Sequence, residues 1–244
     1  MSVVSRGALA LGASLLVLSS AHTVHAETVG AATLEPAASR LRFAGGLGFG
    51  LAAGNARPGL AMSELIPPPL VFAFDGAWAP VPSFDFGLSL FARLGLGTPH
   101  QCPAGGSCSL ASSGDLLLRA RYHLRPSAAL DPWFGLGAGL EVLDSHSEHT
   151  VSNSDVFGSS HTVKQSDLYY GPVLALPELG LDYRPKRSLA WGVLVAASIA
   201  RYTALKSTTE SGGDPEGSST ARIRSSSLHT WLMVVGQVTF DVGL

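Results

Sequence analysis

The strongest constraint on the fold is an alternation of apolar with small or charged residues, which recurs in eight segments from Arg40 onward. In residues 84–97, for example, Phe84 and Phe86 alternate with Asp85 and later small or polar residues. A period of two residues is typical of β-strands with two different faces. The predicted strands cover residues 40–52, 70–79, 84–97, 114–124, 132–143, 168–184, 188–203 and 228–243.

The connectors between these strands are long after odd-numbered strands and short after even-numbered ones. The long connectors are residues 53–69, 98–113, 144–167 and 204–227, and the short ones are residues 80–83, 125–131 and 185–187. Outer-membrane barrels have this asymmetry, because their periplasmic turns are tight and their external loops are free to grow. We therefore predict an all-β fold, an eight-stranded antiparallel up-and-down transmembrane β-barrel with both termini in the periplasm.

The composition of the two strand faces indicates which face points outward. In the last strand Leu232, Val234 and Phe240 share an apolar face, opposite a face that includes Gln237 and Asp241. A soluble lipocalin-like barrel would have the same period with its apolar face inward. The mixed face is mostly Gly, Ala and Ser with sparse charges, which suits a narrow lumen better than a surface in water. An eight-stranded barrel is just wide enough for its own side chains to fill it.

The charges on the mixed face are predicted to form a network inside the lumen. Its members are Arg42, Asp75, Asp85, Arg93, Arg119, Arg121, Glu141, Glu178, Asp182, Arg184 and Asp241. Their signs nearly balance, and buried charges persist only when they are paired and hydrogen-bonded. The sequence thus predicts a lumen filled by side chains; the alternative for each single charge is a solvated strand face.

The N-terminal residues have the pattern of a secretory signal. Residues 1–26 combine Arg6, an apolar core and the cleavage site Val24-His25-Ala26. The alternative is a membrane anchor, but the apolar core is shorter than the roughly 20 residues that a spanning helix needs. We predict cleavage after residue 26, a short periplasmic tail over residues 27–39 and a barrel domain over residues 40–244.

Composition excludes several other classes of protein. Hydrophobic residues make up 46% of the chain and charged residues 14%, whereas soluble proteins contain about 25% charged residues. A chain this apolar is not disordered, and 244 residues suggest a single domain. The formal net charge of −2 predicts no nucleic-acid partner.

Two small residue groups could form a disulfide or a metal site. Cys102 and Cys108 lie in a Pro- and Gly-containing stretch, and in an exported protein we predict that they close a small loop by a disulfide. The alternative is a metal site in which the two cysteines are ligands, for which His100 is the one further ligand nearby. The third long loop carries His146, His149 and His161 among carboxylates, which makes these histidines weak candidates for binding a divalent cation. The other interpretation is a hydrated loop, and no cofactor is predicted.

The combination of features resembles the small outer-membrane barrels of the OmpA and OmpX type. The resemblance rests on residues 119–126 followed by 131–139, and on residues 178–185 followed by 189–192, where a strand, a Pro-bearing turn and a new strand succeed one another. Many such proteins end in an aromatic residue that the assembly machinery reads, whereas this chain ends in Leu244. The resemblance implies outer-membrane lipid, lipopolysaccharide, the barrel-assembly machinery and extracellular molecules as partners.

Three functions follow from these expectations. The leading prediction is a non-enzymatic outer-membrane barrel with a filled lumen, which has a structural role or interacts through its external loops. A second is binding or passage of a small hydrophobic ligand through the barrel wall, suggested by Pro172 and Pro177, which remove ladder donors from one strand. A third, implied by the resemblance, is a lipid A-modifying enzyme that uses His229 near Ser225–Ser227; an ordinary rim histidine is the alternative.

Overall fold

The computed structural model describes residues 39–97, 107–108, 111–152, 160–186, 188–211, 214–223 and 227–243. The predicted signal peptide and nearly all of the predicted tail lie outside these residues, so both remain predictions. No helix among the described residues is long and apolar enough to cross a membrane.

Eight antiparallel strands form a closed ring, which confirms the predicted fold. In order, strands one to eight are Arg40–Arg57, Pro69–Val81, Phe84–Gly95, Ser112–His123, Leu130–Ser152, Ser160–Lys186, Leu189–Arg201 and Leu228–Gly243. Each strand pairs with the next along the chain. Strand one pairs with strand eight from Arg40 and Gly243 to Gly54 and His229, which closes the barrel.

The outer surface of the barrel is apolar, and this confirms the predicted direction of the two faces. Leu118 and Leu140 are 71% and 63% exposed, whereas Phe91 and Trp231 inside are fully buried. In strand three the exposed apolar positions alternate from Phe86 to Leu94, a length that matches the about 9–11 residues of a membrane-crossing strand. These side chains are removed from water only if an apolar environment surrounds the barrel.

Exposed aromatic side chains surround the barrel near its short turns. They are Phe43, Trp78, Phe86, Tyr122, Phe134, Tyr183, Trp191 and Phe240. Neighbours across the ladders touch, with ring centroids 5.2 Å apart for Trp78 and Phe86 and 5.6 Å apart for Tyr122 and Phe134. Rings in this arrangement are typical of the boundary between hydrocarbon and headgroups.

The first long connector differs from the polar external loop that the sequence predicted. It contains helix α1, Met62–Leu65, and a set of buried residues that we name the apolar cap: Ala56, Leu60, Met62, Leu65 and Ile66. These residues belong to one apolar cluster with Val71, Phe91 and Trp231 inside the barrel. The prediction was wrong because the apolar residues are too irregularly spaced to show a period, although burying them is favourable.

The third and fourth long connectors are also more regular than predicted. Strands five and six continue as a ladder from Asp144 opposite Leu168 to Ser152 opposite Ser160. The hairpin Ala204–Ser211 and Asp214–Arg222 pairs with strand six alongside them. We name residues 144–152, 160–170, 204–211 and 214–222 the external sheet. Ser, Thr and charged residues occupy both of its faces, so no apolar alternation marked these segments as strands.

Candidate functional site

The lumen contains all eleven residues of the predicted charge network. Their side chains are at most 8% exposed. Four further carboxyl and imidazole groups that were not included in the network are buried there as well: Asp115, His123, Asp131 and His229. Asp115 and His123 lie an even number of residues from Arg119 and Arg121 in the same strand, so they face the same side. Applying the alternation to both ends of this strand would have found them. The contacts divide the lumen into three clusters.

The outer cluster centres on the carboxylate of Glu141. Its Oε1 accepts hydrogen bonds from Trp231 Nε1 at 2.7 Å and from the Tyr202 hydroxyl at 2.8 Å. Its Oε2 lies 2.8 Å from Nε2 of His229, whose ring stacks on Tyr202 with centroids 4.4 Å apart. Tyr202 follows the end of strand seven, and burial together with the charge of Glu141 raises its pKa. The hydroxyl therefore stays protonated and serves as a donor.

Arg93 offsets part of the negative charge of the outer cluster. Its Nη1 donates to Asp115 Oδ1 at 2.9 Å and to Ser113 Oγ at 3.1 Å, and lies 3.8 Å from Glu141 Oε1. The guanidinium carbon lies 4.6 Å from the centroid of the Trp231 ring, within the range of a cation–π interaction. Both carboxylates of the cluster thus share one guanidinium.

The middle cluster pairs two arginines of strand four with two acids. Arg121 donates to Glu178 at 2.6 Å and to Asp75 at 3.2 Å, and its guanidinium lies over the Trp133 ring at 4.1 Å. Arg119 lies 3.4 Å from Asp75 and 3.8 Å from Glu178. Two positive and two negative charges face one another, so this level of the lumen is neutral.

The inner cluster lies at the end with the short turns and joins six of the eight strands. It consists of Arg40, Arg42, Asp85, His123, Asp131, Asp182, Arg184 and Asp241. Arg42 pairs with Asp85 at 2.5 Å and with Asp241 at 2.9 Å. Arg184 reaches Asp241 at 2.9 Å. Ion pairs across the ring thus connect strands that are distant in sequence.

One part of the inner cluster has the residue types of a metal site. Ligand atoms of His123, Asp131 and Asp182 lie within 4.8 Å of one another, and all three residues are buried. Arg184 Nη2 already lies 3.3 Å from Asp131 and 3.5 Å from Asp182. A guanidinium neutralises these carboxylates at short range, which favours ion pairing over cation binding.

The other predicted site residues belong to the second and third long connectors. His146 is exposed, with Nδ1 3.3 Å from Asp144 Oδ1 and Nε2 3.3 Å from Ser166 Oγ. It lines an open groove of about 660 Å³ on the outward face of the external sheet. The side chains of His149 and His161 lie outside the described residues, as do Cys102 and the side chain of Cys108. The metal site and the disulfide stay predictions.

The position of His229 differs from that of a rim residue. Its side chain is buried and faces Glu141 inside the barrel. Ser225 and Ser226 lie outside the described residues, and no hydrogen bond joins His229 to Ser227 among the described ones. The geometry therefore places this histidine in the outer cluster, away from the external surface.

The barrel wall is irregular at strand six. The pairing with strand five shifts between Gly137 and Gly139, and the pairing with strand seven shifts between Val173 and Ala175. Pro172 and Pro177 flank these shifts. On the outside of the wall, an apolar groove of about 780 Å³ extends to Leu174.

No protein-family model and no curated protein matches the chain. Solved structures match its fold. A major outer membrane protein from Thermus thermophilus has a TM-score of 0.50 at 11% identity, covering 84% of this chain and 99% of that protein. OprG from Pseudomonas aeruginosa has a TM-score of 0.42 at 14% identity, covering 86% and 98%. Neisserial surface protein A has a TM-score of 0.44 at 8% identity, covering 83% and 95%.

The likeness to the Thermus protein concerns the fold and agrees with the closed ring described above. The residues that carried the resemblance lie at the ends of strands four and six, next to short turns, as a barrel of that type requires. The chain thus has the fold of a small eight-stranded antiparallel β-barrel, the fold that the resemblance to the OmpA and OmpX type predicted.

Proposed function

We propose that this protein is a non-enzymatic outer-membrane barrel with a closed lumen, which acts through its external surfaces. The short turns and both termini would face the periplasm. The observation that carries the proposal is the stacking of three buried charge clusters, each of which links opposite sides of the barrel. The guanidinium groups of Arg119 and Arg121, which lie 2.6–3.8 Å from Glu178, support this proposal because they occupy the middle of the lumen with paired side chains.

The apolar cap supports the same proposal at the external end. Met62 and Ile66 are buried against the residues that line the upper lumen. An ion crossing this region would lose its hydration without gaining a polar partner, at a cost of several kcal/mol. Apolar packing and ion pairing thus oppose conduction in different parts of the lumen. What remains available to partners is the external sheet with its open groove.

Single-channel recording tests the closed lumen. We expect the purified protein to give no steady openings in planar bilayers. The double variant Arg121→Ala/Glu178→Ala removes two large side chains of opposite charge from the middle cluster, so we expect small openings to appear, which stay brief because the apolar cap and the other two clusters remain in place. The matched control Glu148→Ala/Lys164→Ala removes an opposing pair from the external sheet and is expected to stay silent. Steady, large openings of the unmodified protein would contradict the proposal.

A second candidate function is binding or passage of a small apolar ligand through the wall. The two register shifts and the two prolines of strand six lie beside the apolar groove. At these shifts fewer ladder hydrogen bonds hold the wall, because an extra residue at a bulge is unpaired and proline has no N–H to donate. A solute could enter from the lipid side without crossing the filled lumen.

Transfer of a small apolar fluorophore into vesicles distinguishes the two candidates. If passage through the wall is the function, the protein accelerates transfer and Ala138→Trp, which fills the groove, slows it by about tenfold. Val234→Trp, on the outer face of strand eight, serves as the control because it adds the same bulk elsewhere. If vesicles with and without the protein take up the fluorophore at the same rate, the second candidate is excluded.

A further inference from the structure

Three exposed basic residues lie together on the outside of the barrel at its external end. Arg201 ends strand seven, Lys206 lies in the external sheet, and Arg222 ends the second strand of its hairpin. The ladder places Arg222 opposite Ala204, two residues from Lys206. A backbone hydrogen bond from Ile223 to Thr203 holds the hairpin close to the end of strand seven. We name Arg201, Lys206 and Arg222 the basic rim patch.

The register shows that these side chains continue the apolar outer face. Residues directly opposite in a ladder share a face, and Arg201 is opposite Leu228, which is 58% exposed on the outer wall. Ala204, opposite Arg222, is also opposite Tyr170, which is 39% exposed. Lys206 is two residues further along the same face. The patch therefore faces the surroundings of the barrel and not its lumen.

The height of the patch matches a headgroup layer. Ile199 is the last exposed apolar residue of strand seven, and Arg201 follows two residues later, about 7 Å along the strand. The polar layer of a bilayer adds about 5–8 Å on each side of the hydrocarbon. A guanidinium or ammonium in this position reaches phosphate groups while Ile199 contacts acyl chains, and Tyr170 and Leu228, which lie beside the patch in the ladder, border on both layers.

The patch carries uncompensated positive charge among the described side chains. None of the ion pairs between described residues involves Arg201, Lys206 or Arg222. On the outer face the nearest described carboxylate in the ladder is Asp144, which lies two strands from Lys206, across Leu168, and pairs with His146 at 3.3 Å. Asp167 is nearer along the ladder, but its register opposite Ser207 places it on the other face of the sheet. The three positive charges therefore reinforce one another on a single sector of the rim.

We propose that the basic rim patch binds the phosphate groups of an anionic glycolipid in the outer leaflet. Two guanidinium groups can hold phosphate oxygens by paired hydrogen bonds, and the lysine adds a third positive charge. The apolar residues just below hold the acyl chains of the same lipid. This proposal rests on the outer-membrane location given under the proposed function, and it adds a specific lipid partner on one sector of the barrel.

The test uses the full mature barrel in nanodiscs of phosphatidylcholine with about 10 mol% of a diphosphorylated lipid A. Lipid A retained per barrel after mild detergent extraction is measured by native mass spectrometry. We expect the triple variant Arg201→Gln/Lys206→Gln/Arg222→Gln to retain about tenfold less lipid than the unmodified protein. Dephosphorylated lipid A should show no such difference, and the difference should shrink at high salt, because exposed charges are screened.

The matched control is Arg57→Gln/Lys164→Gln/Lys186→Gln, which removes the same charge from other exposed positions. It should retain as much lipid as the unmodified protein, and heat-modifiable gel migration should show all variants folded. Equal retention by the patch variant and the unmodified protein would overturn the proposal, as would equal loss in the control. Lipid retention and single-channel conductance are separate measurements. A negative result for lipid binding by the patch can therefore be distinguished from a negative result for the closed lumen.

Discussion

Replacing Glu141 by alanine is expected to lower the free energy of unfolding of the barrel by about 4 kcal/mol. Trp231, Tyr202 and His229 all direct a polar atom at this carboxylate. Glu141 and Asp115 also share the guanidinium of Arg93. A buried donor that loses its partner costs about 1–3 kcal/mol, and breaking a buried ion pair costs roughly 3–5 kcal/mol. Partial rearrangement reduces the sum of these costs.

Urea unfolding of the protein in lipid vesicles, followed by tryptophan fluorescence, measures this effect. Glu148→Ala is the control, because it removes the same group from an exposed position of the same strand and should change stability by less than about 0.5 kcal/mol. Glu141→Gln keeps the shape and one acceptor, so it should fall between the two. If the Glu141→Ala barrel stays within about 1 kcal/mol of the unmodified protein, the outer cluster is not a stabilising centre.

A single methyl group at Gly48 is expected to destabilise the barrel by about 3 kcal/mol. A Cβ at this position would lie 2.0 Å from the carbonyl oxygen of Val234 and 2.7 Å from Cα of Val235. These atoms belong to the backbone of strand eight, so relief requires the two strands that close the ring to move apart. Overpacking of a tight interior typically costs about 1–3 kcal/mol, and a backbone clash belongs at the upper end.

Gly45 provides a control three residues away in the same strand. A Cβ there meets nothing within 4 Å, so Gly45→Ala should leave stability unchanged or raise it by about 0.4–1 kcal/mol. The gain arises because alanine lowers the conformational entropy of the unfolded chain. The fraction of protein that migrates in the folded position on unheated gels, measured across a urea series, compares both variants. Equal midpoints for the two variants would contradict the close approach of strands one and eight.

The sequence predicted the membrane part of this fold well because two constraints act there together. Every strand has an apolar outside and a small or charged inside, so Leu88 and Asp85 are assigned to faces by parity alone. Strand ends were also near their predicted positions where a short turn followed, as at Val81 and Phe84. In the external sheet Ser, Thr and charged residues alternate without an apolar face, and its ladder from Asp144 to Ser152 left no apolar period to find.

The candidate site could be predicted only in part from the sequence, for a related reason. Alternation placed Arg93 and Glu141 inside the barrel, yet it says nothing of which charges meet across the lumen, because partners such as Arg121 and Glu178 are 57 residues apart in sequence. The apolar cap shows the same limit. Met62 and Ile66 are buried by contacts with distant strands, and no local pattern in a loop of prolines and glycines reveals such contacts.

In the proposed orientation, the continued ladder of strands five and six sets the height above the membrane surface at which a partner would contact the protein. From Val142 to Ser152 the strand advances about ten residues, about 34 Å along its own direction, and a tilt of roughly 40° leaves about 25 Å of height. The headgroup layer occupies only about 5–8 Å of that height. In the proposed orientation, the ladder would therefore extend beyond the headgroup layer and present its end to molecules that do not contact the lipid.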